Sequence, residues 1–159
     1  MKIIILYESF FGNTEAVARA MGNAAAEEFN SEVKNVSEIS WDDVADADIL
    51  ILGSATRGFN PCEKTKSFLS TIPANGLRGK VVAAFDTRIA LSTIKSGALR
   101  FVVKAGGYAA KRIARSLSKR GGTLAVPPEG FIVTGEKGPL AEGEEERAAQ
   151  WMQTIADTI

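Results

Sequence analysis

Three runs, Lys2 to Tyr7, Asp48 to Gly53 and Lys80 to Phe85, are apolar at almost every consecutive position. A strand with one wet face alternates apolar and polar side chains. Strands that read KIIILY, DILILG and KVVAAF must instead be covered on both faces, as in a parallel sheet. The intervening segments supply the covers. Thr14 to Phe29 places Val17, Ala18, Met21, Ala24, Ala25 and Glu28 on one mostly apolar stripe at helical spacing. Cys62 to Ile72, with Phe68, Leu69 and Ile72 inward, predicts a second helix. Ala109 to Lys119, with Ala110, Ile113, Ala114 and Leu117 inward, predicts another. Glu144 to Ile155 closes the series on Ala148, Trp151, Met152 and Ile155. Glu32 to Val36 is a weaker strand, and Thr123 to Val126 and Phe131 to Val133 are strand pieces around Pro127-Pro128. Strand and helix thus alternate along the chain, which implies right-handed crossovers and helices on both faces of the sheet. The segment from Asp86 to Gly107 fits neither pattern.

The 159 residues suit a single domain. The chain has no His, which excludes Ser–His–Asp and Cys–His catalysis and most zinc sites. Cys62 is the only Cys, so no disulfide can form within the chain, and a reducing cytoplasm is the expected setting. Beside a helix start, Cys62 is open to two readings, a thiolate-prone group or a small buried hydrophobe. No apolar run approaches the ~20 residues that span a bilayer. The formal net charge is zero but unevenly spread. No acid lies between Asp86 and Glu129, whereas Arg88, Lys95, Arg100, Lys104, Lys111, Arg112, Arg115, Lys119 and Arg120 do. Lys111, Arg115 and Lys119 share a helix face without interleaved aromatic residues, so a solvated face is expected and nucleic-acid binding is not.

The junction after the first strand, Ser9-Phe10-Phe11-Gly12-Asn13-Thr14, contains hydroxyls, an amide and a glycine but no Lys or Arg. In a doubly wound sheet, ligands bind beyond the carboxyl ends of the strands where the strand order reverses. A helix that starts near Asn13 presents free N–H groups and the positive end of its dipole there. With the side chains of Ser9, Asn13 and Thr14, this makes an anion cradle suited to a phosphate. The G-x-x-x-x-G-K-[ST] and G-x-G-x-x-G patterns are both absent, which argues against a nucleoside triphosphatase and a dinucleotide fingerprint.

The stretch Ser9 to Thr14 resembles the phosphate loop of flavodoxins. GSATRGF, Gly53 to Phe59, and FDTR, Phe85 to Arg88, follow the strands after which flavodoxins place their two flavin-contacting loops. Gly130 to Trp151, with its Gly-Pro-Leu segment, is similar to the family's tail. The resemblance covers nearly the whole chain. It implies a flavodoxin-like, doubly wound, five-stranded parallel sheet of order 2-1-3-4-5 and one FMN. The phosphate would lie on Ser9, Phe10, Phe11, Gly12, Asn13 and Thr14. The ring would lie between Ala55, Thr56, Arg57, Gly58 and Phe59 on one side and Asp86, Thr87 and Arg88 on the other. The family usually flanks the ring with Trp and Tyr, which neither loop supplies, so Phe59 is the expected stacking partner. Gly58 would permit the peptide flip that offers a carbonyl to the reduced flavin's N5–H and stabilises the one-electron form. No side chain need act as an acid–base catalyst, since the cofactor carries the chemistry.

The implied function is an electron carrier between a reductase and an acceptor protein. Two alternatives stay open: an FMN-dependent oxidoreductase acting on a quinone or porphyrin precursor, and a binding module that has lost tight FMN binding. Family members are typically acidic and dock on basic partners. A neutral chain lacks that long-range steering.

Overall fold

Four Ile and Leu residues in a row, Ile3 to Leu6 and again Ile49 to Leu52, leave a strand no face that can meet water, and the structure covers both. A computed structural model describes residues 1–57, 60–90, 97 and 108–159. The strands are β1 Lys2–Glu8, β2 Asn30–Asn35, β3 Ile49–Ala55, β4 Val81–Ile89, β5 Thr123–Leu124 and β6 Glu129–Val133. The helices are α1 Asn13–Ala25, α2 Glu63–Thr71, α3 Ala109–Lys119 and α4 Glu144–Ala156. The sheet order is β2-β1-β3-β4-β5, with β6 also on β4, and every pairing between these strands is parallel. This is the doubly wound order expected from the sequence. The fifth position is shared by two pieces. β5 pairs with Val81 and Val82, and β6 pairs with Phe85 to Ile89. Pro127 and Pro128 lie between them, and neither can donate a ladder hydrogen bond.

The pleat divides each central strand between two cores. Ile3, Ile5, Ile49, Ile51, Ala83 and Phe85 pack beneath α1 and α4 with Val17, Met21, Trp151 and Ile155. Ile4, Leu6, Leu50, Leu52, Val82 and Ala84 pack on the other face with Phe68, Leu69, Ile113 and Leu117. Each such buried Leu or Ile contributes about 1.5–3 kcal/mol relative to exposure.

Some boundaries differ from the sequence reading, each for a local reason. α1 ends at Ala25, four residues before Phe29, and Glu28 is exposed. The chain must turn there so that the Asn30 N–H can reach the Met1 carbonyl and start β2. Phe29 still packs against the core, which prolonged the apolar pattern past the end of the helix. Val36 leaves β2 for a 3₁₀ turn. β4 runs four residues beyond Phe85, so Asp86, Thr87 and Arg88 lie in the strand rather than in a loop after it. β6 provides the ladder partner that this extension needs.

Gly53 lies beside Phe85 in the register of β3 and β4, and the Phe85 ring covers it. A Cβ built at Gly53 would fall 2.0 Å from the ring. That ring is fixed edge-on by Phe131 and Trp151, at centroid distances of 6.1 and 6.4 Å. Gly53→Ala should therefore destabilise the protein by about 1–3 kcal/mol, the usual cost of overpacking. A fall in the urea midpoint with unchanged far-ultraviolet circular dichroism is the expected result.

Candidate functional site

The strand order reverses between β1 and β3, and the carboxyl ends of β1, β3, β4 and β6 meet at one mouth. A cavity of about 330 Å³ opens there. It is lined by Ser9, Phe10, Phe11, Asn13, Thr14, Ala55, Thr56, Arg57, Thr87, Arg88, Ile89, Val133 and Glu136. The volume is at the lower end of the range for pockets that hold small organic ligands.

The loop after β1 is shaped by its own polar groups. The Gly12 N–H donates to Ser9 Oγ at 3.0 Å, and Gly12 takes the left-handed conformation at φ 87°, which a residue with a Cβ rarely adopts. α1 then begins without a side-chain cap. The N–H groups of Asn13, Thr14 and Glu15 have no acceptor among the described residues, nor do those of Phe10 and Phe11. Glu15, the one acid of this first turn, is drawn back to Arg19 at 2.7 Å.

The other helices bring carboxylates to their own N-termini. Glu8, buried at the end of β1, accepts from the Thr65 N–H at 2.7 Å and from its hydroxyl at 3.1 Å, closing the first turn of α2. Asp86, fully buried in β4, accepts from the Ala110 N–H at 2.8 Å and closes α3. The neighbouring Ala109 N–H donates to the Thr56 hydroxyl at 3.4 Å. α4 carries Glu144, Glu145 and Glu146 in its first turn. Among the described residues, α1 is the helix whose positive end is left open to the cavity.

Thr14 and Thr87 meet beneath that opening, with their hydroxyl oxygens 2.8 Å apart and both residues buried. Two hydroxyls hold two protons, and their mutual bond uses one. The other remains available to an acceptor in the cavity. Thr87 thus stands beside the cradle with Thr14, whereas the sequence grouped it with the ring-contacting segment. The Asn13 amide is partly engaged, since its nitrogen donates to the Lys137 carbonyl at 3.2 Å.

The loop has no cation, but cations stand against its rings. The Arg57 guanidinium lies 4.5 Å from the Phe10 centroid, and the Lys137 ammonium lies 6.0 Å from that of Phe11. Both rings are about half exposed, Phe10 at 54% and Phe11 at 48%. Arg57 and Asn60 exchange backbone hydrogen bonds at 3.0 Å in each direction, which closes the base of the loop after β3. Gly58 and Phe59, expected to flip a peptide and to stack on a ring, lie outside the described residues, as do Lys95, Arg100 and Lys104.

Asp86 is absent from the cavity lining. Its carboxylate takes a bidentate pair from Arg88, with Nε at 2.6 Å and Nη2 at 2.8 Å, and Arg88 in turn lies 3.9 Å over the Tyr108 ring. Burial pushes the Asp86 carboxyl above the usual aspartate range, against the opposing pull of the guanidinium. Cys62 is the buried hydrophobe of its two readings. Its thiol donates to the Ala55 carbonyl at 3.2 Å, and burial raises its pKa. The sequence reading missed Ile89, Val133 and Glu136, which line the cavity. The signal for Val133 and Glu136 was the fifth strand position, since the carboxyl end of β6 must reach the same mouth, whereas Ile89 ends the extension of β4.

The chain matches the family model described as Flavodoxin over residues 5–151. No match is found among the curated protein sequences. Its fold is similar to that of oxidised flavodoxin 1 from Bacillus cereus, with a TM-score of 0.78 and 20% identity over 100% of this chain and 99% of that one. A flavodoxin from the domain Archaea gives a TM-score of 0.73 and 22% identity, covering 99% of this chain and 97% of that one. The two-electron reduced flavodoxin of Megasphaera elsdenii gives 0.70 and 20%, covering 98% of both chains.

Removing Arg88 would leave a buried carboxylate without its cation. Arg88→Met should cost about 3–5 kcal/mol, and Asp86→Asn combined with Arg88→Met clearly less. In the single variant Asp86 takes up a proton, so the folded state binds more protons than the unfolded one. The loss should be smallest below the ordinary aspartate pKa of about 3.9 and grow as pH rises through the raised folded value. Urea denaturation of both variants across pH checks this, and a loss that shrinks with rising pH would contradict it.

Proposed function

The chain belongs to the flavodoxin family, and on that premise we propose that it holds one FMN at the β1/β3 mouth and carries electrons between redox proteins. The observation that carries the placement is the open first turn of α1. Its free N–H groups at Asn13 and Thr14 and those of Phe10 and Phe11 belong to residues that line the same cavity as the Thr14–Thr87 hydroxyl pair. A phosphate dianion accepts many hydrogen bonds and needs no basic side chain where a helix dipole and main-chain donors meet it. The donor set and the left-handed turn at Gly12 fit that group.

When bound, FMN supplies the one- and two-electron chemistry. The protein's part is to bind and orient it. Ser9 fixes the turn by accepting from Gly12, and Thr14 and Thr87 present the spare hydroxyl proton. Arg57 adds positive charge to the cavity wall, and Arg88, paired with Asp86, lines it as a neutralised guanidinium. Phe10, Phe11, Ile89 and Val133 supply apolar surface that displaces water from the mouth. We take the phosphate contacts of Ser9 to Thr14 and the ring contacts of Ala55 to Phe59 as parts of this proposal. Asp86 enters it only as the anchor of Arg88. The family match does not favour the alternative of an oxidoreductase acting on a quinone or porphyrin precursor. No described helix is long and apolar enough to cross a membrane. With its single cysteine, the chain suits the cytoplasm as a working site.

Thr14→Val removes one of the two hydroxyls and keeps the shape of the side chain. It should weaken FMN binding by about 1–3 kcal/mol, the worth of a hydrogen bond to a charged group. Quenching of FMN fluorescence in a titration of the apoprotein gives the affinity. Equal affinity in the variant and the parent would move the phosphate elsewhere. A parent that fails to quench FMN would end the cofactor reading.

A further inference from the structure

Among the described residues of the acid-free stretch between Asp86 and Glu129, α3 carries a surface of like charge. At 100° per residue, Lys111, Arg112, Arg115 and Lys119 fall within an arc of about 100° on α3. That arc lies opposite the buried stripe of Ala110, Ile113, Ala114 and Leu117. All four cationic residues are exposed, and none has a carboxylate within ion-pair distance among the described residues. Elsewhere Lys2, Arg19, Lys34, Lys66 and Arg147 are each paired with an acid. Four like charges along about 12 Å of helix repel one another, so their clustering is unfavourable for the isolated protein.

Beside this face runs a shallow groove of about 450 Å³, lined by Arg88, Tyr108, Lys111, Arg115, Leu124 and Pro128 among others. Its walls combine cations with an apolar floor, and Leu124 is 37% exposed there. Arg88 lines both this groove and the cavity at the β1/β3 mouth. A partner seated on the groove would therefore touch the residue that forms one wall of the cofactor site.

We propose that the α3–β5 edge is the docking surface for a small acidic redox protein, which sets carboxylates against Lys111, Arg112, Arg115 and Lys119 and an apolar side chain against Leu124 and Pro128. The proposal rests on the electron-carrier reading and gives it a partner class. Charge complementarity selects the sign of the partner. The apolar floor and the shared Arg88 favour a protein that exchanges electrons over a nucleic-acid backbone.

The test is an NMR titration of the isotope-labelled protein with an acidic [2Fe–2S] ferredoxin, with basic cytochrome c and a DNA duplex as counter-probes. Ferredoxin should shift the amides of α3 and of Leu124. Its affinity should fall about tenfold between about 20 and about 200 mM salt. Lys111→Glu with Arg115→Glu should weaken it at least tenfold, and the matching pair of Gln substitutions by less, since the attraction is then lost without being reversed. Shifts mapping away from α3, indifference to both pairs, or tighter binding of cytochrome c or DNA at the same salt would overturn the proposal. The map does not require bound FMN. A failure of FMN binding would show in the fluorescence titration and count against the cofactor reading alone.

Discussion

A helix cannot satisfy its first N–H groups from within, and this protein's architecture turns on what is brought to them. The described helices and the parallel sheet gather several helix N-termini near one edge. Left alone, each would draw water or an anion. Glu8, at the end of β1, and Asp86, within β4, fill two of them, and three glutamates sit in the first turn of another. With Glu8 and Asp86 in place, the turn at Asn13 keeps its donors for the cavity that it borders. An external anion entering the cavity then meets main-chain donors and a positive dipole at the open first turn of α1.

The same carboxylates hold the scaffold to which the cradle is attached. Glu8 is the last residue of β1 and directly precedes Ser9, so its bond to Thr65 ties the start of the phosphate loop to α2. Asp86 precedes Thr87 by one residue, and its bonds to Arg88 and Ala110 fix the segment of β4 that carries the hydroxyl facing Thr14. The spare proton of that hydroxyl pair is aimed by neighbours whose side chains never enter the cavity. A buried ion pair is weak evidence for stability, because desolvation opposes it. Here Asp86–Arg88 also holds the last residues of β4 in place and sets the guanidinium in the walls of two cavities.

The sheet order and the position of the cradle were legible because both follow from short-range patterns. Two-faced apolar runs demand crossovers, and a Gly-Asn-Thr sequence at the first crossover demands a turn and a helix start. The length of β4 was not legible. Asp, Thr and Arg after Phe85 look like a loop, since polar residues rarely continue a buried strand. Their burial depends on α3, β6 and Tyr108, all distant in sequence, which supply the partners that Asp86 and Arg88 need. The end of α1 was misread for the opposite reason. Phe29 is apolar and packs on the core, yet the backbone has already left the helix to start β2. The cations over Phe10 and Phe11 were also beyond the sequence, because Arg57 and Lys137 arrive from other strand ends.

The open turn and the basic helix face are two forms of one electrostatic fact. Both are concentrations of positive potential that the chain does not neutralise itself. The turn presents it as main-chain donors at close range inside a cavity, where a small dianion can meet several of them at once. α3 presents it as mobile, solvated ammonium and guanidinium groups, which act at the distance of a Debye length and yield to salt. Short-range donors select a ligand by geometry, and the longer-range field selects a partner by sign. Arg88 is where the two meet. It is neutralised by Asp86, stacked on Tyr108 and shared by both hollows, so its position is set by the scaffold rather than by either occupant.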